Sequence, residues 1–183
     1  RGRMVDPARL ERLFRSPLMR SANAIAGLFY DGVVVTESDN DRAFYAEIYH
    51  RLSAMSADLP SVLFINAQNK QTIKDIIGPL RQFGVPAAAI PDIDIVKDGG
   101  KTWNDWLSAC QVPTALHAGY QAQRNAIKAC FDASGKEMKT AGGVSILTGS
   151  DRLAADQLFD VLAEYGVFVV RGGELENWLS ALG

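Results

Sequence analysis

The sequence is poor in cysteine and histidine. Cys110 and Cys130 are its two cysteines, and neither belongs to a CxxC pair or stands beside a histidine pair. A zinc site is therefore not expected. Two buried, reduced thiols in a cytoplasmic protein are the simpler interpretation. The two histidines, His50 and His117, fall in predicted helices and are not predicted to be catalytic.

Long apolar runs are missing as well. No stretch approaches the ~20 apolar residues that cross a bilayer, and the start of the chain lacks the apolar centre of a signal peptide. No membrane partner is expected. No GxxxxGK[ST] stretch occurs, which excludes a P-loop ATPase site within this chain. Because the sequence opens on Arg1 and Met4 is internal, we expect it to be a piece of a longer protein.

An excess of basic residues is also lacking, since the net charge is −2. This argues against a generally basic surface for nucleic acid. The charge is unevenly spread: residues 1–20 carry six arginines and two acidic residues, and the rest of the chain sums to −6. An acidic body binds phosphate poorly unless metal ions reverse the local field. We interpret residues 1–30 as a basic N-terminal segment that is a linker, a DNA-facing arm or a helix docked on a missing domain.

Apolar β-branched runs alternate with helical periodicity, which predicts an α/β fold. Strands are predicted at residues 33–36, 61–65, 85–90, 144–148 and 167–170. Strands joined by helices of this length must run mostly parallel, which gives an open, doubly wound sheet. Residues 99–142 are helix-like and lie between two glycine pairs, so we predict a helical insertion there.

The predicted helices carry apolar residues at helical spacing. One begins near Asn40, one ends at Gly84 and one begins near Ser150. Their apolar positions are, in order, Phe44, Ile48, Leu52 and Met55; Ile73, Ile76, Ile77 and Leu80; and Leu153, Leu158, Val161 and Leu162. A short last helix is predicted around Trp178 and Leu179.

Carboxylates follow three of the five predicted strands. They are Glu37 and Asp41 after the first, Asp92 and Asp94 after the third, and Glu174 and Glu176 after the fifth. Ligands of open parallel sheets bind at the carboxyl ends of the strands. We therefore expect the first four carboxylates to lie together as a divalent-metal site.

Each of these carboxylates also has a plainer interpretation. The run Asp39-Asn40-Asp41 could cap the following helix, and for Asp39 we favour that reading. Glu174 and Glu176 could be ordinary acidic residues of a first helical turn. Repulsion within the whole set would nevertheless be costly without a cation. Two Mg²⁺-like ions ~3.5–4 Å apart can activate a water and stabilise the leaving oxygen of a phosphodiester.

The strand-end pattern resembles a known family. Glu37, Asp41 and the Asp92-Ile93-Asp94 motif are similar to the TOPRIM domain of topoisomerases, primases and certain nucleases. Three further stretches resemble the TOPRIM half of ATP-dependent endonucleases of the OLD (overcoming lysogenisation defect) family. They are Ala26-Gly27-Leu28-Phe29-Tyr30-Asp31-Gly32, Asn66-Ala67-Gln68-Asn69-Lys70 and Gly173-Glu174-Leu175-Glu176. The resemblance covers residues from about 20 to 183.

The resemblance implies a TOPRIM-like core at residues 31–98 and 143–183, interrupted by the helical insertion, and a nuclease that uses two Mg²⁺ or Mn²⁺ ions. By position, Glu37 and Asp41 would hold one ion, while Asp92 and Asp94 would bridge to or hold the other. Glu176 would complete the set, with Glu174 the lesser candidate. Lys70 would meet a phosphate.

The resemblance also implies partners: DNA as substrate, and an upstream ABC-type ATPase domain through which ATP would act. A homodimer is left open. The family's usual glycines are replaced by Ser38 and by Gln68-Asn69, which favours the alternative of a non-catalytic module that binds metal or DNA. A response-regulator-like domain ranks last, because Thr148 and Gly149 stand where its lysine is expected.

Overall fold

The structure is a computed structural model that describes residues 6–180 and, within them, all side chains except those of residues 9, 10, 12, 13 and 178–180. The chain divides into two compact units, residues 1–89 and residues 90–183. Arg1 and Arg3 of the basic N-terminal segment lie outside the described residues. Among the described residues, no helix combines the length and the apolarity that a bilayer crossing requires.

The first unit begins with helices and continues into a parallel sheet. Its helices are α1 (Pro7–Arg15), α2 (Pro17–Ser21), a 3₁₀ helix (Ala24–Phe29), α3 (Asp39–Met55) and α4 (Lys70–Gln82). Its strands are β1 (Gly32–Thr36), β2 (Val62–Asn66) and β3 (Ala87–Ile90), in the spatial order β2-β1-β3. All three strands run parallel, which confirms the predicted α/β fold.

The helix α4 follows its sequence pattern closely. Its predicted apolar face, Ile73, Ile76, Ile77 and Leu80, is fully buried. The chain turns just beyond it at Gly84, where φ is +81° and a side chain would be strained. The periodicity of this segment therefore specified both the packed face and the end of the helix.

The helix α3 packs on β1 and β2, yet the apolar face predicted for it is largely exposed. The exposed fractions are 40% for Ile48, 51% for Leu52 and 84% for Met55. No residue of α3 is fully buried. Helical spacing thus identified the helix correctly, but its apolar stripe does not mark a core-facing side.

The second unit is mainly helical. It contains a 3₁₀ helix (Ile93–Lys97), α5 (Gly100–Ala109), α6 (Thr114–Ser134), a second 3₁₀ helix (Gly143–Ile146), α7 (Gly149–Glu164) and α8 (Leu175–Ser180). The segment predicted to be helical, residues 99–142, holds α5 and α6. Its core is formed by large side chains that are at most 2% exposed, among them Trp103, Trp106, Phe131 and Phe159.

The two late strands were predicted wrongly. Residues 144–148 contain the end of a 3₁₀ helix, because Gly142 and Gly143 both have positive φ and turn the chain there. Residues 167–170 form no strand of the sheet; Val167 and Val170 are isolated bridge residues, and Val170 pairs in parallel with Asp92. A short apolar run does not distinguish a strand from another buried segment. Leu153, one of the apolar positions predicted for α7, is 58% exposed, so it does not belong to the buried face of that helix.

The cysteines follow the prediction of free thiols. Cys110 is buried and Cys130 is partly buried, and neither forms a disulfide. Burial raises the pKa of the Cys130 thiol, and the nearby Asp151 carboxylate acts in the same direction. The two histidines lie in helices as predicted, His50 in α3 and His117 in α6.

Candidate functional site

In the first unit, the end of β1 runs into a capping box at the start of α3. The Ser38 hydroxyl accepts a hydrogen bond from the Asp41 backbone N–H at 3.1 Å. The Asp41 Oδ2 in turn accepts from the Ser38 backbone N–H at 3.0 Å and from the Ser38 hydroxyl at 2.8 Å. These bonds satisfy donors that a helix start would otherwise leave open. Asp41 therefore has a structural role in addition to the predicted metal-binding role.

The neighbouring Asp39 is not the cap that its position suggested. Ser38 is the N-cap, and Asp39 is an exposed residue of the first turn, paired with Arg42 at 2.7 Å. The hydrogen bond from Arg42 lowers the pKa of the Asp39 carboxyl, while desolvation acts in the opposite direction. Glu37, one residue before the cap, is half-buried.

After β2, Gln68 and Asn69 stand where the family usually has glycines, and the local structure accommodates both residues. Gln68 has a φ of +71°, a conformation that glycine adopts without strain. The Asn66 side-chain oxygen accepts from the Gln68 N–H at 2.6 Å and supports this turn. Asn69 caps α4 by accepting from the Thr72 N–H at 3.0 Å. Lys70 is the half-buried first residue of α4.

In the second unit, Asp92 forms an ion pair with Lys139. Its side chain is 10% exposed, and its Oδ2 lies 2.7 Å from the Lys139 ammonium. The same ammonium lies 3.9 Å from Glu174 Oε2. The Ile93 N–H also donates to the Gly173 carbonyl at 3.0 Å, which ties the Asp92 segment to the segment that carries Glu174.

Asp94 lies in the first turn of the 3₁₀ helix that follows Asp92, and this helix is fixed by a buried arginine. The Arg124 guanidinium donates to the Val96 carbonyl at 2.6 Å and to the Lys97 carbonyl at 2.9 Å. Burial lowers the pKa of Arg124, while the Asp98 carboxylate acts in the opposite direction. An arginine remains charged in a protein, so Arg124 is a permanent buried cation that positions the Asp94 segment.

The predicted ligands Glu174 and Glu176 differ in their exposure to solvent and in their distance from Lys139. Glu176 is exposed in the first turn of α8, whereas Glu174 is half-buried and close to Lys139. Lys139 was missed by sequence reasoning, because it lies in a polar run without a motif and its contacts are distant in the chain. In neither unit do three or more described His, Cys, Asp or Glu side chains form a group that could hold a metal ion.

The donors around Lys139 fit a divalent cation. Carboxylate oxygens are the hard ligands that Mg²⁺ and Mn²⁺ prefer. The Lys139 ammonium lies near both carboxylates and compensates negative charge that such a cation would also compensate. Mg²⁺ commonly takes only one or two carboxylates and completes its shell with waters and phosphate. A pair of carboxylates is therefore a sufficient protein contribution.

A comparison with family models identifies a family for part of the chain. Residues 28–94 match the family described as the TOPRIM domain of overcoming lysogenization defect protein-like proteins. The matched segment runs from the 3₁₀ helix before β1 through Asp94 and includes Glu37, Asp41 and Asp92. No curated protein and no solved structure matches the chain.

Proposed function

We propose that this chain, which carries a TOPRIM domain of the OLD-like family at residues 28–94, is the nuclease part of a metal-dependent DNA endonuclease. TOPRIM domains process nucleic acids and generally bind divalent metal ions. The observation that carries the proposal is Asp92, a largely buried carboxylate that follows β3 and faces a positive charge.

The ligand sets of the proposed site follow the strand ends. Glu37 and Asp41 would hold one Mg²⁺ or Mn²⁺ ion, and Asp92 with Asp94 would hold a second. Glu174 or Glu176 would complete the set; Glu174 is favoured because its Oε2 lies 3.9 Å from the same ammonium that pairs with Asp92. The bound ions would supply Lewis-acid chemistry at the scissile phosphate. Arg124 would keep the Asp94 segment in position through its bonds to backbone carbonyls.

The remaining segments of the chain would support this nuclease. Residues 143–183 would continue the TOPRIM core after the insertion at 99–142, and Lys70 would contact a DNA phosphate. Residues 1–30 would connect to an upstream ABC-type ATPase through which ATP acts. Two free thiols suit a cytoplasmic protein.

A plasmid-nicking assay tests the proposal. Supercoiled DNA is incubated with the wild type and with the variants Asp92→Asn and Asp94→Asn, in Mn²⁺, in Mg²⁺ and in EDTA. We expect nicking that needs the metal and falls by at least about 100-fold in either variant, because each removes a charged ligand.

The matched control is Asp105→Asn. Asp105 is also paired with a lysine at 2.7 Å, but on the exposed surface of α5. Its substitution is expected to leave nicking within about twofold of wild type. Nicking that persists in EDTA, or that survives in both site variants, would refute the proposed chemistry.

A second function is favoured by one feature of the first unit. Asp41 already forms the capping box with Ser38. Ser38 is the residue that stands where the family usually has glycine. A domain in which this box persists would bind metal or DNA and regulate an attached ATPase without cleaving. Metal binding by the wild type together with no nicking at high protein concentration, also in a chain that includes the ATPase, would favour this second function.

A further inference from the structure

The Lys139 ammonium occupies the space between two carboxylates of the second unit. It is 2.7 Å from Asp92 Oδ2 and 3.9 Å from Glu174 Oε2. The exposed fractions of the side chains are 10% for Asp92, 22% for Glu174 and 33% for Lys139. Electrostatic attraction is only weakly screened at a site so sheltered from solvent. The attraction between these charges is therefore less screened than in the surface pairs on α5 and α6.

The backbone of Lys139 is fixed in a way that presents the ammonium to this site. The Asn177 side-chain amide donates to the Lys139 carbonyl at 2.7 Å and to the Gly172 carbonyl at 2.9 Å. Gly173 has a φ of +110°, and a Cβ at that position would overlap the Lys139 carbonyl oxygen. The two segments can approach this closely only because Gly173 has no side chain.

We propose that Lys139 is a resident counter-cation, and that a divalent ion gains Asp92 and Glu174 only by displacing its ammonium. This inference rests on the proposed metal-binding function. It states that the Lys139 ammonium competes with the divalent ion for the same two carboxylates. A lysine carries its charge on a flexible four-carbon stem. The ammonium can therefore leave toward solvent while the Lys139 backbone keeps its bond to Asn177.

Two consequences follow from this competition. Without metal, the ammonium compensates the negative charge of a largely buried carboxylate, so it stabilises the metal-free fold. With metal, displacement of the ammonium opposes binding, so the ion binds more weakly than it would to the same carboxylates alone. Removal of the Lys139 charge should therefore change stability and metal affinity in opposite directions.

The test compares the wild type with Lys139→Met and Lys139→Gln, and uses Lys136→Met as the matched control. Lys136 is an exposed lysine of the same loop. Mn²⁺ binding is measured by electron paramagnetic resonance of the free ion, and the melting temperature Tm is measured in EDTA and in Mn²⁺. Lys139→Gln keeps a hydrogen-bonding side chain without the charge and provides a folded variant if Lys139→Met does not fold.

We expect both Lys139 variants to bind Mn²⁺ on the order of tenfold more tightly than the wild type, as the loss of one charge-assisted bond predicts. Their Tm should be lower in EDTA, and Mn²⁺ should raise it by more than in the wild type. Lys136→Met should match the wild type. Equal or weaker Mn²⁺ binding in the Lys139 variants would contradict the proposed competition, while the proposed metal site would still be supported. No Mn²⁺ binding in any protein would overturn both.

Discussion

We expect Gly143→Ala to lower Tm by about 10 °C or more, the largest stability effect of any change considered for this chain. Gly143 has a φ of +59°, and a Cβ there would overlap the Arg171 carbonyl oxygen and lie 2.6 Å from the Gly173 nitrogen. Both atoms belong to the backbone, so no side chain can rotate away. The added methyl group would push apart two segments joined by the bond from the Val144 N–H to the Arg171 carbonyl at 2.9 Å.

The matched control for Gly143→Ala is Gly149→Ala. Gly149 has nearly the same φ, +55°, but beyond its chain neighbours and the backbone of its own helix nothing lies within 4 Å of the added Cβ. Only the backbone strain of about 1–2 kcal/mol remains, so Tm should fall by roughly 2–8 °C. Equal losses for the two variants, measured by calorimetry, would mean that the close contact of Gly143 with residues 171–173 does not exist in solution.

We expect Arg124→Met to remove about 3 kcal/mol from the free energy of unfolding. Methionine fills much of the volume, but it leaves the Val96 and Lys97 carbonyls without the guanidinium that donates to them. Because these carbonyls belong to the 3₁₀ helix that carries Asp94, the variant should also lose more metal-dependent nicking than its stability alone explains. Urea denaturation and nicking at a temperature where the variant is folded measure the two effects.

The control for Arg124→Met is Arg152→Met. Arg152 is an arginine of α7 whose side chain is 55% exposed and lies 3.8 Å from Asp156. Its replacement should change the free energy of unfolding by no more than about 0.5 kcal/mol. If Arg124→Met is as mild as this control, the buried bonds to Val96 and Lys97 contribute little to the fold.

The parts of the fold that the sequence predicted are those set by local patterns. The buried face of α4 and the turn at Gly84 follow from helical spacing and a glycine with positive φ. The error at residues 144–148 has a physical origin, because Gly142 and Gly143 impose a turn on an apolar run that fits a strand equally well. The exposed stripe of α3 shows that periodicity alone does not decide which face is buried.

The candidate site was only partly accessible to the same reasoning. The carboxylates after β1 and β3 were predicted as metal ligands because ligands of parallel sheets bind at the carboxyl ends of the strands, and this assignment stays a prediction. The contact of Lys139 with Asp92 joins residues far apart in the sequence and depends on how Gly173 and Asn177 pack against the loop. The second role of Asp41 depends on a serine whose hydroxyl both donates and accepts at a helix start.

The central claim, a divalent-metal site that includes Asp92, is tested most directly by Mn²⁺ binding to the wild type and to Asp92→Asn. Asparagine keeps the size of the side chain and removes its charge. We predict saturable Mn²⁺ binding by the wild type, competed by Mg²⁺, and a loss of affinity of at least about tenfold in Asp92→Asn. Binding of the same strength in both proteins, or no binding by the wild type, would contradict the claim.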